Sequence, residues 1–195
     1  MPPTGSPVRL TPRLQVAMTN NRKPSKARLA KIRLMIFDFD GVLTDNFVFV
    51  GENGEKLKRF WVPDGVGIFI GHKAGIKFAI VTGNQDQTTR TRAEFLRIDD
   101  VYQGALDKKA AYEALKAKHR VTDAECLFIG DDVQDRPILE LAGISVAPCD
   151  ANPAMKRIAH WVGQSPGGRG IVREAIDAVL AARGYVWPPP AEGKE

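Results

Sequence analysis

Two groups of acidic residues have the type and spacing to do chemistry together. Asp38 and Asp40 stand two apart, precede Gly41, and follow the apolar run Leu34-Met35-Ile36-Phe37. Asp131 and Asp132, with Asp135 close behind, follow Gly130 and the apolar run Cys126-Leu127-Phe128-Ile129. A carboxylate at the end of a buried strand is costly unless a cation shares its site. If the two runs are parallel neighbours, their ends gather as many as five carboxylates. Such a cluster repels itself and raises its own pKa values unless a hard divalent cation neutralises it. Oxygen-only ligands suit Mg²⁺, which typically joins one or two carboxylates to a substrate phosphate. Asp is also favoured at helix N-caps, so either group alone is weak; the two together point to phosphoryl chemistry.

Two further features complete such a set. Thr82-Gly83 ends the run Phe78-Ala79-Ile80-Val81 and precedes a helical stretch, where a hydroxyl and backbone amides can hold phosphate oxygens. Lys108 opens the next helical segment after Gly104, placed to neutralise charge on a transferred group.

The elements that must position these residues are readable. Short apolar runs bounded by turn residues are the mark of strands buried on both faces of a parallel sheet. Leu34–Phe37, Phe78–Val81, Cys126–Ile129 and Ile144–Ala147 have this look, with a shorter strand at Val101-Tyr102. Helical patterns lie between them at Gly65–Ala74, Gln85–Leu96, Lys108–His119, Pro137–Ala142 and Arg173–Arg183, the last followed by Gly184 as a C′ residue. Alternating strands and helices imply an α/β fold with a doubly wound, Rossmann-like parallel sheet. One segment breaks the alternation: Phe47–Val50, a turn with Asn53-Gly54, then Glu55–Trp61 reads as a β-hairpin. Directly after the first strand, it should project over that strand's C-terminal end, where open α/β sheets bind ligands. No segment is long enough for a separate lid domain.

The chain has 195 residues, 44% hydrophobic and 26% charged, within the range of a globular protein. Its formal charge of +5 suggests a nucleic-acid or membrane-surface partner until the charge is divided. Met1–Arg33 holds eight basic residues and no acidic one, leaving 20 basic against 23 acidic residues from Leu34 onward. The body is therefore mildly acidic, and neither nucleic acid nor membrane is an expected partner. No apolar run is long enough to span a bilayer, and the start lacks the apolar core of a secretory signal. Cys126 and Cys149 have no metal-ligand spacing, and a reducing cytoplasm is the simplest setting. The expected organisation is a basic extension over 1–31, a catalytic domain over 32–184 and a Pro-rich tail over 185–195 whose Trp187-Pro188-Pro189-Pro190 run is an extended arm.

The order Asp38-Phe39-Asp40-Gly41-Val42-Leu43-Thr44-Asp45, Val81-Thr82-Gly83, Lys108 and Gly130-Asp131-Asp132-Val133-Gln134-Asp135 resembles the haloacid dehalogenase (HAD) superfamily of aspartate-nucleophile phosphatases. The resemblance implies a HAD-like fold in which Asp38 is the nucleophile forming an aspartyl-phosphate and Asp40 the general acid and then base. Thr82 and Lys108 would hold the phosphoryl group. Mg²⁺ would be bound by the Asp38 carboxylate, the Asp40 carbonyl and Asp131, with Asp132 and Asp135 as supporting or alternative ligands. A phospho-accepting signalling domain also combines an Asp cluster, a Thr and a Lys, but lacks a second Asp two residues after the first.

The body further resembles the capless phosphatases of 3-deoxy-D-manno-octulosonate 8-phosphate. Gly51-Glu52-Asn53-Gly54-Glu55, Asp64-Gly65 with Gly67-Ile68, Tyr102-Gln103-Gly104 and Gly167-Gly168-Arg169-Gly170 carry that likeness. It implies a homotetramer in which hairpins and C-terminal segments of neighbours close the open site. It also implies substrate contacts from Asp64, Gly65, Gly83, Asn84 and Arg169 to a small sugar phosphate. Trp61, Pro63, Phe69 and Asn84 depart from the polar or basic residues usual in that group. Phe69 is instead similar to phosphatases of nine-carbon 2-keto acids such as 2-keto-3-deoxynononate 9-phosphate, the alternative substrate class.

Overall fold

In a computed structural model that describes residues 23–188, one parallel sheet organises the chain. The elements run α1 (Lys26–Leu29), β1 (Leu34–Phe37), β2 (Phe49–Val50), β3 (Lys56–Leu57), α2 (Val62–Lys73), β4 (Lys77–Val81), α3 (Gln87–Leu96) and β5 (Asp100–Tyr102). Then follow α4 (Lys108–His119), β6 (Cys126–Ile129), α5 (Arg136–Leu141), β7 (Ile144–Ala147), α6 (Pro153–Ile158), β8 (Trp161–Val162) and α7 (Ile171–Arg183).

The sheet order is β5-β4-β1-β6-β7-β8, every pair parallel. β1 is thus central, with β4 on one side and β6 on the other. The chain runs outward from β1 through β4 to β5 and then crosses back to β6 on the other side of β1, so a switch point forms at the carboxyl end of β1. All four residues of β1 are buried, as they are in β6 and β7, which is why these strands read as unbroken apolar runs. Met35 and Phe37 face a core shared with Ile68, Ile80, Leu127, Ile176 and Val179. Leu34 and Ile36 face the opposite core, with Tyr112, Leu115, Phe128, Ile138 and Leu139. Full burial of such side chains contributes about 1.5–3 kcal/mol each, and that term holds the strand ends in register.

Helix starts follow their caps. Asp86 accepts from the Thr89 amide to open α3, Asp107 from the Lys109 and Ala110 amides to open α4, and Asn152 from the Ala154 amide to open α6. α2 begins at Val62, three residues before the expected Gly65, because Pro63 fits a first turn that needs no donor. β8 and α6 escape a pattern reading: one is two residues long and the other six. The core also reaches ahead of Ile32 into the basic stretch, since Leu29 is buried in it. The remainder of the basic extension and the proline run beyond Pro188 lie outside the described residues.

The β2–β3 hairpin pairs Phe49 with Leu57 and Val50 with Lys56. Its turn is closed by the Gly54 amide on the Gly51 carbonyl and the Gly51 amide on the Glu55 carbonyl, with Gly54 at φ +82°. The turn is therefore longer than a two-residue Asn-Gly turn, and only the glycine takes the left-handed conformation.

Candidate active site

Register brings the predicted residues together. The Asp38 amide bonds the Ile129 carbonyl of β6, the Thr82 amide bonds the Tyr102 carbonyl of β5, and the Gly130 amide bonds the Val146 carbonyl of β7. The ends of β1, β4 and β6 therefore open side by side into a cleft of about 170 Å³. Asp38, Asp40, Thr82, Gly83, Asn84 and Asp131 all line it.

After β1 the chain turns sharply, with the Leu43 and Thr44 amides both on the Phe39 carbonyl. Gly41 stands at φ +78°, and a Cβ there would come 2.1 Å from Asp131 Oδ2 and 2.5 Å from Asn46 Nδ2. The glycine is thus required twice, by its conformation and by the carboxylate pressed against it. Gly167 supports the same turn from outside: its Cβ would come 2.0 Å from the Gly41 carbonyl oxygen.

Lys108, fully buried at the start of α4, places Nζ 3.0 Å from Asp38 Oδ2 and 2.6 Å from Asp135 Oδ1. Asp135 is fully buried as well, and its other oxygen accepts from the Asp131 amide at 2.8 Å and the Asp132 amide at 3.2 Å. One carboxylate thus fixes both the lysine and the backbone that presents Asp131. Asp38 Oδ1 accepts from the Phe39 amide at 2.7 Å. Asp40 accepts from Asn84 Nδ2 at 2.6 Å, Thr44 Oγ1 at 3.2 Å and Lys58 Nζ at 2.9 Å.

The electrostatics call for a cation. Burial first, then the Asp135 charge, push Asp38 up to about 8 against the pull of Lys108. Burial lifts Asp131 to about 6, the Asn46 hydrogen bond opposing it and Asp135 and Asp132 adding to it. Ligand atoms of Asp38, Asp131 and Asp135 all lie within 4.8 Å of one another. A hard divalent ion relieves such crowding and takes oxygen ligands only, so the donor set fits Mg²⁺. Asp135 belongs to the same group, and its oxygens already accept from Lys108 and from the two amides, so it also anchors the site. Asp132 is exposed, accepts from Asn152 Nδ2 at 2.9 Å, and faces the cleft.

A family model described as haloacid dehalogenase-like hydrolase matches residues 91–174. The 3-deoxy-D-manno-octulosonate 8-phosphate phosphatase KdsC of Yersinia pestis is 42% identical over 156 residues, covering 80% of this chain and 83% of that protein. The chain belongs to the KdsC-type phosphatases of the haloacid dehalogenase-like hydrolases. KdsC of Escherichia coli K12 is 40% identical over 158 residues, 81% of this chain and 84% of the relative. The crystal structure of the Yersinia enzyme superposes with a TM-score of 0.80, covering 82% of this chain and 86% of that one. A Moraxella catarrhalis phosphatase solved with magnesium ion, phosphate ion and KDO superposes at 0.79 with 30% identity, covering 82% and 91% of the two chains.

Within this KdsC-type frame, several expected contacts fall elsewhere. Asp64 is buried away from the cleft, and its oxygens accept from the Gly170 amide at 3.2 Å and the Arg173 amide at 2.8 Å. It holds the start of α7, and burial raises it to about 6. Gly65 lies under Arg92 and Leu96 in a separate, apolar depression of about 690 Å³ between α2 and α3. That depression is larger than the carboxylate cleft, yet none of the site's carboxylates lines it. Phe69 lines it too, edge-to-face with Trp187 at 5.8 Å, so its side chain does not meet the cleft. Arg169 is exposed, 4.0 Å from the Asp45 carboxylate, and is not among the residues that line the cleft.

Three residues that pattern reading passed over belong to the site. Asn46, at φ +65°, donates to Asp131 Oδ2 at 2.8 Å. Gln134 lines the cleft beside Gly83. Lys58 reaches in from the hairpin exit. A lone Asn, Gln or Lys carries no sequence signal of this kind; only the turn after β1 and the hairpin bring them in.

Proposed function

We propose that this protein hydrolyses 3-deoxy-D-manno-octulosonate 8-phosphate to the free sugar acid and inorganic phosphate, with Mg²⁺, through an aspartyl-phosphate on Asp38. The observation that carries the reading is the buried Lys108 ammonium 3.0 Å from Asp38, facing Asp131 across the ends of three parallel strands, in a chain 42% identical to KdsC. In this reading an Asp38 oxygen bonds to phosphorus as the bond to the sugar oxygen breaks. Asp40, held by Asn84, Thr44 and Lys58, gives that oxygen its proton and then takes one from the attacking water. Thr82 and Lys108 hold the phosphoryl oxygens. Asp38, the Asp40 carbonyl and Asp131 would hold Mg²⁺, which supplies charge neutralisation on the phosphoryl group.

The alternative nine-carbon acid rested on Phe69, whose place outside the cleft removes that support. The Moraxella complex with KDO favours the eight-carbon acid as substrate class. Phe47, Phe49, Val50 and Leu57 are strongly exposed on the hairpin, and they support an assembly of four subunits whose hairpins meet neighbours. Lipopolysaccharide biosynthesis and a cytoplasmic setting follow from the same reading, as does a catalytic domain over 32–184. Among the described residues no helix is long and apolar enough to cross a membrane. The test is kcat/KM with Mg²⁺ on the eight- and nine-carbon 2-keto acid phosphates. A preference for the eight-carbon substrate is expected; a flat profile would leave only a general phosphatase.

A further inference from the structure

We infer that Lys58 is a positioning residue for Asp40, through which the seating of the hairpin controls proton transfer; the inference rests on the phosphatase reading above. Lys58 lies just after β3, its side chain only 1% exposed. Its ammonium is 2.9 Å from Asp40 Oδ1, 3.0 Å from Asp40 Oδ2 and 2.6 Å from Asp86 Oδ2. Asn84 and Thr44 each reach one oxygen of Asp40, whereas Lys58 spans both and so sets the plane of the carboxylate.

The other end of the link is rigid. Asp86 caps α3, accepting from the Thr89 amide at 2.9 Å, Thr88 Oγ1 at 2.6 Å and Thr89 Oγ1 at 2.9 Å. The Lys58 ammonium also lies 5.0 Å over the ring of Phe39, the buried residue between the two catalytic aspartates. The hairpin has two paired rungs and an exposed apolar surface, and its exit is held by Lys58 and by Phe60, which packs edge-to-face on Phe39 at 5.8 Å under Arg92. Arg59, the next residue, pairs with Asp45. The buried Lys58 ammonium therefore ties the hairpin's base to the α3 cap and to the group that moves protons.

Lys58 is not among the residues that line the cleft. Its effect passes through Asp40, which delivers a proton to the departing sugar oxygen and then removes one from water. A leaving group that departs without a proton needs the first of these transfers least, and that difference separates positioning from general disruption.

The experiment uses the full chain with Mg²⁺ and compares wild type, Lys58→Met and Asp86→Asn. Asn caps helices as well as Asp, so the second variant loosens Lys58 while keeping α3. Single-turnover rates are measured on 3-deoxy-D-manno-octulosonate 8-phosphate and on p-nitrophenyl phosphate. Lys58→Met is expected to slow the sugar phosphate about a hundredfold, within the range of a general acid's contribution, and the p-nitrophenol burst by less than about threefold. On p-nitrophenyl phosphate, phosphorylated protein should then accumulate, because the water step also needs Asp40. Asp86→Asn should show the same pattern, more weakly, and it carries the test if Lys58→Met melts. Equal losses on both substrates, or no loss, would overturn the inference. If wild type hydrolyses p-nitrophenyl phosphate but not the sugar phosphate, the substrate reading fails alone, and glycerol phosphate replaces it in the comparison. If wild type hydrolyses none of these, both readings fall.

Discussion

Replacing Asp135 by Asn tests whether the site's charge is held as the geometry describes. The side chain is fully buried and accepts from three donors: Lys108 Nζ at 2.6 Å and the Asp131 and Asp132 amides at 2.8 and 3.2 Å. Asn keeps the shape but loses the charge, and whichever way its amide turns, its NH₂ meets a donor. Breaking a buried ion pair from one side costs about 3–5 kcal/mol. Lys108 keeps its second partner, Asp38 at 3.0 Å, which favours the low end of that range. Relief also follows, because the Asp135 charge is one cause of the raised pKa of both Asp38 and Asp131. The net expectation is a loss of about 2–3 kcal/mol, or roughly 5–10 °C in Tm for a chain of this size. Urea unfolding of the Mg²⁺-free protein measures it, the midpoint falling with an unchanged m-value. A loss below about 1 kcal/mol would refute the anchoring role, since no other described side chain occupies both Lys108 and the Asp131 amide.

Other outcomes follow from the same contacts. Gly167→Ala drives a Cβ to 2.0 Å from the Gly41 carbonyl, so it should cost about 1–3 kcal/mol and weaken Mg²⁺ binding together, read by melting with and without the ion. Asp64→Ala removes the acceptor of the Gly170 and Arg173 amides and should cost about 2 kcal/mol in urea unfolding while leaving KM for the sugar phosphate within about twofold. Asp38 and Asp131 are raised from 3.8 to about 8 and about 6, so their contribution to stability is fullest below 3.8 and is lost as pH climbs through those values. Mg²⁺ binds their ionised forms, so the rise in Tm on adding it should widen from about pH 5.5 to about pH 8.5; a constant rise would contradict the ligand assignment.

The sheet was readable because its central strands are buried on both faces, leaving unbroken apolar runs with chemistry at their ends. Lys108–His119 matched its helix to the residue because Asp107 caps it and a single apolar stripe, Ala111, Tyr112 and Leu115, is buried. β8 was not readable, since Trp161-Val162 is an edge strand of two residues with no alternation to detect. The site divides in the same way. Asp38, Asp40, Thr82, Lys108 and Asp131 announce themselves through order along the chain. Lys58, Asn46 and Asp86 join the site through contacts across 18 to 85 positions, which spacing does not encode. Asp64 shows the converse: a motif residue beside a glycine, whose carboxylate turns out to secure a helix start.

The most direct test of the central claim is an acid quench of the 195-residue chain during turnover of 3-deoxy-D-manno-octulosonate 8-phosphate with Mg²⁺, followed by mass spectrometry of its peptides. The account predicts a phosphoryl group on Asp38, absent from Asp38→Asn, which should fold normally and release no phosphate. Turnover that continues in Asp38→Asn, or a phosphoryl group found on another residue, would contradict it.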